Sequence, residues 1–379
     1  MDVLPFFIFA IALCNLLIFR KIALRLQWVD IPSARKLHSG TPPLCGGASI
    51  FLTLLIALLI HPISIPELHT VLACACILFV TGLADDKYNV EVKLRLLIQC
   101  GVAYVMVNYG DCRITELGSL TGSEKVVLSH SQSTIISLLA IVGGINAFNM
   151  IDGVDGLLGG MTIVCFTALG YLFYIHDVSE MVFLCSIIVV ATVPFLLLNT
   201  GIFCRPKHKV FMGDAGSTLL GFILVWLLIL SSQPLDYSAS VYFNTISANT
   251  ISADTISTEI DAILKPVTAL WIIAIPLMDM VAVMVQRTRR GSSPFLPDRT
   301  HLHHTLLRLG LNAQLTSLLI CSIGAILAIL GIYFEVNGIS EEIQLVIFMV
   351  VFLFYFLITQ YIFQIKYNLR KAYRLIYKL

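Results

Sequence analysis

Of the 379 residues, 58% are hydrophobic and only 12% are charged, with a formal net charge of +1. Soluble domains carry about a quarter charged residues, so this composition excludes a soluble globular enzyme, a disordered chain and a basic nucleic-acid binder. What remains is a polytopic integral membrane protein, and an all-α one, because its apolar runs are continuous rather than alternating as in a barrel.

A bilayer crossing needs about 20 apolar helical residues. In chain order the runs predict eleven spans, at 3–19, 46–61, 68–84, 94–110, 134–150, 157–175, 181–199, 216–232, 264–285, 315–334 and 342–364. The second is short. The first lacks a basic stretch before it and a small-residue cleavage site after it, and reads as a retained span rather than a leader. Most of the ten cysteines, such as Cys14, Cys74 and Cys165, lie inside these runs without paired-ligand spacing and read as small hydrophobes.

Lys and Arg set the orientation. With the N-terminus outside and the C-terminus in the cytoplasm, all of the 24 Lys and Arg except Arg113, Lys125 and Lys265 fall in cytoplasmic segments. We read residues 1–379 as one membrane domain. Its cytoplasmic loops span about 20–45, 85–95, 146–157, 200–217 and 286–312, and its longest outside loop about 233–263. That outside loop repeats Asn-Thr-Ile-Ser-Ala from Asn244 and Asn249, a unit too short for a solenoid.

The acids are sorted as well. Asp85 and Asp86 end the third span, Asp152 and Asp155 link the fifth and sixth, Asp214 precedes the eighth, and Asp279 lies in the ninth near its cytoplasmic end. Carboxylates at the hydrocarbon edge are costly unless paired, metal-bound or in a wet cavity. Helix capping accounts for any one of them, less readily for a group on one face. In the fifth–sixth link, Asn146, Asn149, Asp152 and Asp155 recur every three residues and stack on one face if the helix runs on. Such a stripe of oxygens suits Mg²⁺ or Mn²⁺, with water and phosphate completing the shell. Before the eighth span, Gly213 and Gly216 flank Asp214, and a helix beginning at Ser217 turns its N-terminus toward an anion. The last long loop holds His301, His303 and His304 after Arg299. No cysteine is near and the three histidines do not share a helical face, which argues against zinc. As donors to oxyanions they fit a phosphate site, with a solvated basic loop as the alternative. Asp279 has two readings, a functional acid or a structural partner of a nearby Arg or His.

Together these residues resemble the polyprenyl-phosphate N-acetylhexosamine-1-phosphate transferase family. The resemblance rests on Asp85-Asp86, the string from Asn146 to Leu157, Phe211-Met-Gly-Asp214-Ala-Gly-Ser217 and His301-Leu-His303-His304, in that order. The stretch from Asp30 to His38, with Pro43, Gly46 and Gly47, is similar to the family's first cytoplasmic loop. One departure is Asn89, where the acidic motif is often written with a third Asp, and we give Asn89 no role. The histidine string and the span count are closest to the branch that makes the first lipid-linked sugar of O-antigen and enterobacterial common antigen.

The resemblance implies the reaction of UDP-N-acetylglucosamine with undecaprenyl phosphate, giving undecaprenyl-diphosphate-N-acetylglucosamine and UMP, with Mg²⁺, at the cytoplasmic face of a bacterial inner membrane. It implies Asp214 as metal ligand with Asn149 second, and Asp85 and Asp86 orienting the acceptor phosphate or the metal. Whether either acts as a base stays open, since a phosphate is already mostly ionised. It further implies Asp155 toward the nucleoside, Phe211 stacked on uracil, Asp152 and Asn146 within the site, and Lys36, Lys93, Arg95, Arg299 and the three histidines on phosphates. Family members are often dimeric, which makes a second copy a candidate partner. The same chemistry with another UDP-N-acetylhexosamine is an alternative. A secondary transporter predicts midplane acids and repeated halves, and a scaffold without turnover needs no acids around Gly-rich turns. The sequence has neither midplane acids nor repeated halves, and it does carry acids around its Gly-rich turns.

Overall fold

The computed structural model describes residues 3–30, 40–65, 67–120, 122, 124–202, 208–236, 259–260, 262–294 and 300–377. Lys36, Arg299 and most of the 233–263 loop lie outside them. The chain forms α1 (Leu4–Arg25), α2 (Gly46–Ile60), α3 (Leu68–Tyr88), α4 (Val92–Tyr109), α5 (His130–Ile151), α6 (Leu157–Ile175), α7 (Ser179–Asn199) and α8 (Asp214–Ser232). It continues with α9 (Pro266–Ile272), α10 (Ala274–Arg289), α11 (Leu302–Leu309), α12 (Ala313–Val336) and α13 (Glu341–Tyr377). Two-residue strands, β1 (Leu235–Asp236) and β2 (Glu259–Ile260), pair antiparallel between α8 and α9.

Each expected span coincides with helix. Among the described residues, eight helices are long and apolar enough to cross a membrane, and α9 with α10 makes a ninth if the pair is one span. Neither α2, with 15 residues, nor α4, whose 18 residues include Lys93, Arg95 and Gln99, meets that standard. The chain is an all-helical, multi-pass membrane protein.

The expectation of one continuous ninth span over 264–285 is corrected: the chain bends by 83° between α9 and α10. The cause is Pro276, which has no N–H for the carbonyl of Ile272 four residues back. In an apolar setting that carbonyl needs a partner, and the Cys165 thiol on α6 donates to it at 3.2 Å.

α8 is the centre of the bundle, with 94% of its spanning window buried, whereas α13 lies at the edge with 6%. Around α8 pack α2, α3 and α5. Lipid is as apolar as leucine, so helices associate in membranes through close packing and polar contacts rather than by escaping water. Small residues permit that closeness: Gly82 on α3 lies against the backbone of Ala215, where any side chain at position 82 would collide.

The interhelical turns segregate to two ends. At one end, Cys45 and Gly46 donate backbone N–H to the Phe211 carbonyl (3.1 and 3.0 Å), and the α3 terminus, the α5–α6 turn and α11 meet the same region. At the other, Gln233 Oε1 accepts from the backbone of Thr115 and Glu116 (2.7 and 3.0 Å), and Glu341 Oε1 accepts from Ser119 (3.0 Å).

Candidate functional site

The first end holds a cleft lined by Leu78, Thr81, Gly82 and Asp85 of α3, Arg95 and Gln99 of α4, Asn146 and Asn149 of α5, and Asp214 and Thr218 of α8. It is apolar toward Leu78 and polar toward the helix ends. Four helices contribute because each runs to this end before turning, and each carries its polar residues in the terminal turns.

Asp85 is buried and ion-pairs with Arg95, whose Nη1 also lies 3.8 Å from Asp214 Oδ2. The carboxylates of Asp85 and Asp214 are neighbours. Asn149 Nδ2 donates to Asp214 Oδ1 (2.6 Å) and to Ser217 Oγ (2.8 Å). Asn146 Nδ2 donates to Gln99 Oε1 at 2.6 Å. Thus Asp85, Arg95, Asn146, Asn149 and Asp214, expected from sequence, converge on one cleft.

Asp86 points the other way. Its carboxylate accepts the N–H of Asp214 (2.7 Å) and of Ala215 (3.3 Å), the first two residues of α8. The helix therefore starts at Asp214 rather than at Ser217, and the anion at its N-terminus is the protein's own. Gly213, at φ +79°, turns the chain into α8 where a side chain would strike Asp86.

The polar stripe on α5 is half as long as expected. α5 ends at Ile151, and Gly156, at φ +81°, starts α6 after a tight turn. Asn146 and Asn149 share the helical face, but Asp152 is exposed in the turn and Asp155 ion-pairs with Lys209. The Lys209 ammonium also lies 5.5 Å from the ring centre of half-buried Phe211. Asn199 braces the turn, accepting from Gly156 N (2.6 Å) and donating to the Val210 carbonyl (2.9 Å). Lys93 projects into solvent, 3.9 Å from Glu91, and is not part of the cleft.

The histidines sit on and before α11. His301 Nδ1 lies 2.7 Å from Asp279 Oδ2, so Asp279 has its structural partner. His303 is buried against the backbone of Gly153, and its Nε2 has no hydrogen-bond partner among the described residues. Burial, with His304 close by, pushes His303 down to about 3, and the attraction of Asp279 does not overcome it, so its ring is uncharged at neutral pH. The His303 and His304 rings are 4.3 Å apart.

Sequence reasoning missed Gln99, Lys209, Arg287 and Tyr355. Gln99 is findable, since it is a polar residue one helical turn beyond Arg95 in an apolar run. Lys209 registers only as a loop charge. Tyr355, whose hydroxyl donates to Asp279 Oδ1 at 2.8 Å, has no local signal because 76 positions separate the pair. Among the described residues no three His, Cys, Asp or Glu side chains form a ready metal cage.

The profile of glycosyl transferase family 4 matches residues 68–232, the stretch holding Asp85, Asp86, Asn149, Asp155 and Asp214. The undecaprenyl-phosphate alpha-N-acetylglucosaminyl 1-phosphate transferase of Escherichia coli O157:H7 is 39% identical over 87% of this chain and 83% of its own length. That of Yersinia pestis is 38% identical over 91% and 87%, and that of Haemophilus influenzae 38% over 89% and 88%.

Proposed function

We propose, on the premise that this chain belongs to glycosyl transferase family 4, that it transfers N-acetylglucosamine-1-phosphate from UDP-N-acetylglucosamine to undecaprenyl phosphate. The products are undecaprenyl-diphosphate-N-acetylglucosamine and UMP. The observation that carries this reading is the convergence of Asp85, Arg95, Asn149 and Asp214, from four helices, in one cleft.

The reaction forms a bond from an acceptor phosphate oxygen to the β-phosphorus of the nucleotide sugar. The bond from that phosphorus to the bridging oxygen breaks, and UMP leaves with it. Both reactants are anions, so the chain must gather charge-neutralising groups and align the partners more than it must supply a strong base. Arg95 is the guanidinium in the cleft and faces the incoming phosphates. Gln99 and Asn146 add amide dipoles one layer deeper. Phe211, with Lys209 over its ring and Asp155 paired to Lys209, forms the nucleoside end, an aromatic face beside polar groups. His303 serves as a neutral hydrogen-bonding group beside the 152–156 turn. Asp152 lies in that turn, and by the family resemblance His304, Lys36, Lys93 and Arg299 are assigned to the substrate phosphates.

Magnesium is held by one or two carboxylates plus water and substrate phosphates rather than by a protein cage. The donor set fits: Asp214 and Asp85 are adjacent like charges served by one arginine, and Asn149 adds an amide. These residues would hold the ion, with Mn²⁺ as a substitute, while Asp86, committed to the start of α8, would support Asp214 from behind. When bound, the ion neutralises diphosphate charge.

The orientation follows the basic residues, with this end facing the cytoplasm of a bacterial inner membrane. That side supplies the nucleotide sugar, and the bilayer supplies the lipid. The reaction is then the first membrane step of O-antigen or enterobacterial common antigen synthesis. The test is purified protein with labelled UDP-N-acetylglucosamine, undecaprenyl phosphate and Mg²⁺. Release of UMP together with a labelled lipid is expected, and absence of both overturns the reading. A panel of UDP-N-acetylhexosamines in the same assay fixes the donor.

A further inference from the structure

We infer that Asp279 is a positioning residue: its carboxylate seats the His301 ring and the first turn of α11, and so fixes His303 beside the 152–156 turn. This rests on the proposed transferase reading of that turn.

Three donors converge on one carboxylate that is only 3% exposed. They are His301 Nδ1 at 2.7 Å, the backbone N–H of Leu302 at 2.9 Å and the Tyr355 hydroxyl at 2.8 Å. They come from the approach to α11, from its first residue and from α13, while Asp279 belongs to α10. One side chain thus ties three elements together. The far side of the His301 ring is also held, with Nε2 lying 3.4 Å from Arg287 Nη2. Guanidinium only donates, so Nε2 accepts and the ring carries its proton on Nδ1, toward Asp279. Arg287 is anchored in turn by donating to the Pro294 carbonyl at 2.6 Å.

Both ring nitrogens of His301 are therefore held by protein partners, and the ring is a fixed spacer that sets where α11 begins. The stacking continues outward: the His301 and His303 planes are 6° from parallel with centroids 5.7 Å apart, and His303 presses on Gly153. A shift of α11 passes directly to the turn carrying Asp152 and Asp155. Capping alone would need only the Leu302 contact. The additional grip on a ring fixed from both sides is what a positioning role requires.

Asparagine at 279 keeps the shape but replaces one acceptor oxygen with a donor, so three donors can no longer all be satisfied. For Asp279→Asn we expect kcat to fall about 100-fold with KM for the nucleotide sugar changed less than about threefold, as misplacement predicts. Amide hydrogen exchange over 302–309 should accelerate about tenfold while that of α8 stays unchanged. In a His301→Ala background the same substitution should cost less than about threefold, because Asp279 then has no ring to orient. Wild-type kcat in Asp279→Asn, unchanged exchange in α11, or an equal loss in both backgrounds would overturn the inference. An inactive wild-type protein would instead refute the transferase reading, and the exchange measurement would still judge the role of Asp279.

Discussion

Asp214 and Asp279 are acids at the same end of the bundle, the first 3.8 Å from the Arg95 guanidinium and the second paired with the His301 ring. Asp279 is 3% exposed and its oxygens are taken up by His301, Leu302 and Tyr355. Among the described residues, Asp214 has a 38% exposed side chain, a single arginine 3.8 Å away shared with Asp85, and one amide donor. The first cluster is closed, with its charge matched by donors from within the chain, and it holds elements together. The second has spare acceptor capacity and an excess of negative charge, and such a cluster is completed from outside. Burial of charge is tolerated only where partners are complete, so the degree of completion, rather than the residue type, separates a joint from a binding site.

The comparison breaks first at Asp214. Asp214→Ala should lower transferase turnover by about 10³-fold or more, as loss of a main electrostatic contact does, with little change in melting temperature. Assay and thermal scan together check it, and retained activity would mean that the open cluster is not the site. Arg95→Met removes the shared cation and leaves Asp85 buried without its partner. Turnover should drop by about 100-fold, and stability should fall by about 3 kcal/mol, so this variant scores on both scales. Asn149→Ala sharpens the metal assignment: the Mg²⁺ concentration for half-maximal rate should rise about tenfold, read from a Mg²⁺ titration.

A pH scan addresses the closed side. His303 is held down to about 3 in the folded protein against 6.5 for the free group. Between those values the unfolded chain binds the extra proton, so stability is fully present above pH 6.5 and is lost as the pH falls through that window. The slope is at most about 1.4 kcal/mol per pH unit. Melting temperatures from pH 7.5 to 5 should decline, less steeply in His303→Gln. The smallest effect is expected for Tyr355→Phe, which removes one donor of three and should cost about 1 kcal/mol with turnover within threefold.

Much of this was legible in the sequence, for identifiable reasons. Apolar run length located the spanning runs, because the bilayer leaves no other way to satisfy the backbone, but it showed neither the break between α9 and α10 nor the short α11. The cleft residues Asp85, Arg95, Asn149 and Asp214 stood out because charge and amides are expensive in such runs. What escaped depends on where neighbours end up. Asp86 caps α8 because of a contact across 128 positions, and the stripe from Asn146 to Asp155 breaks because α5 ends at Ile151, leaving Asp155 to pair with Lys209. The bend at Ile273 was readable in principle from Pro276, but the partner that makes it tolerable, Cys165, was not.

The encasement of α8 carries one more consequence. A helix surrounded by other helices has no annular lipid of its own, so bilayers of different thickness act on the perimeter, where α1 and α13 can tilt to absorb the mismatch. The first turn of α8, which carries Asp214, is insulated from that adjustment. Turnover should therefore be nearly indifferent to acyl-chain length, while the orientation of the outermost helices follows it.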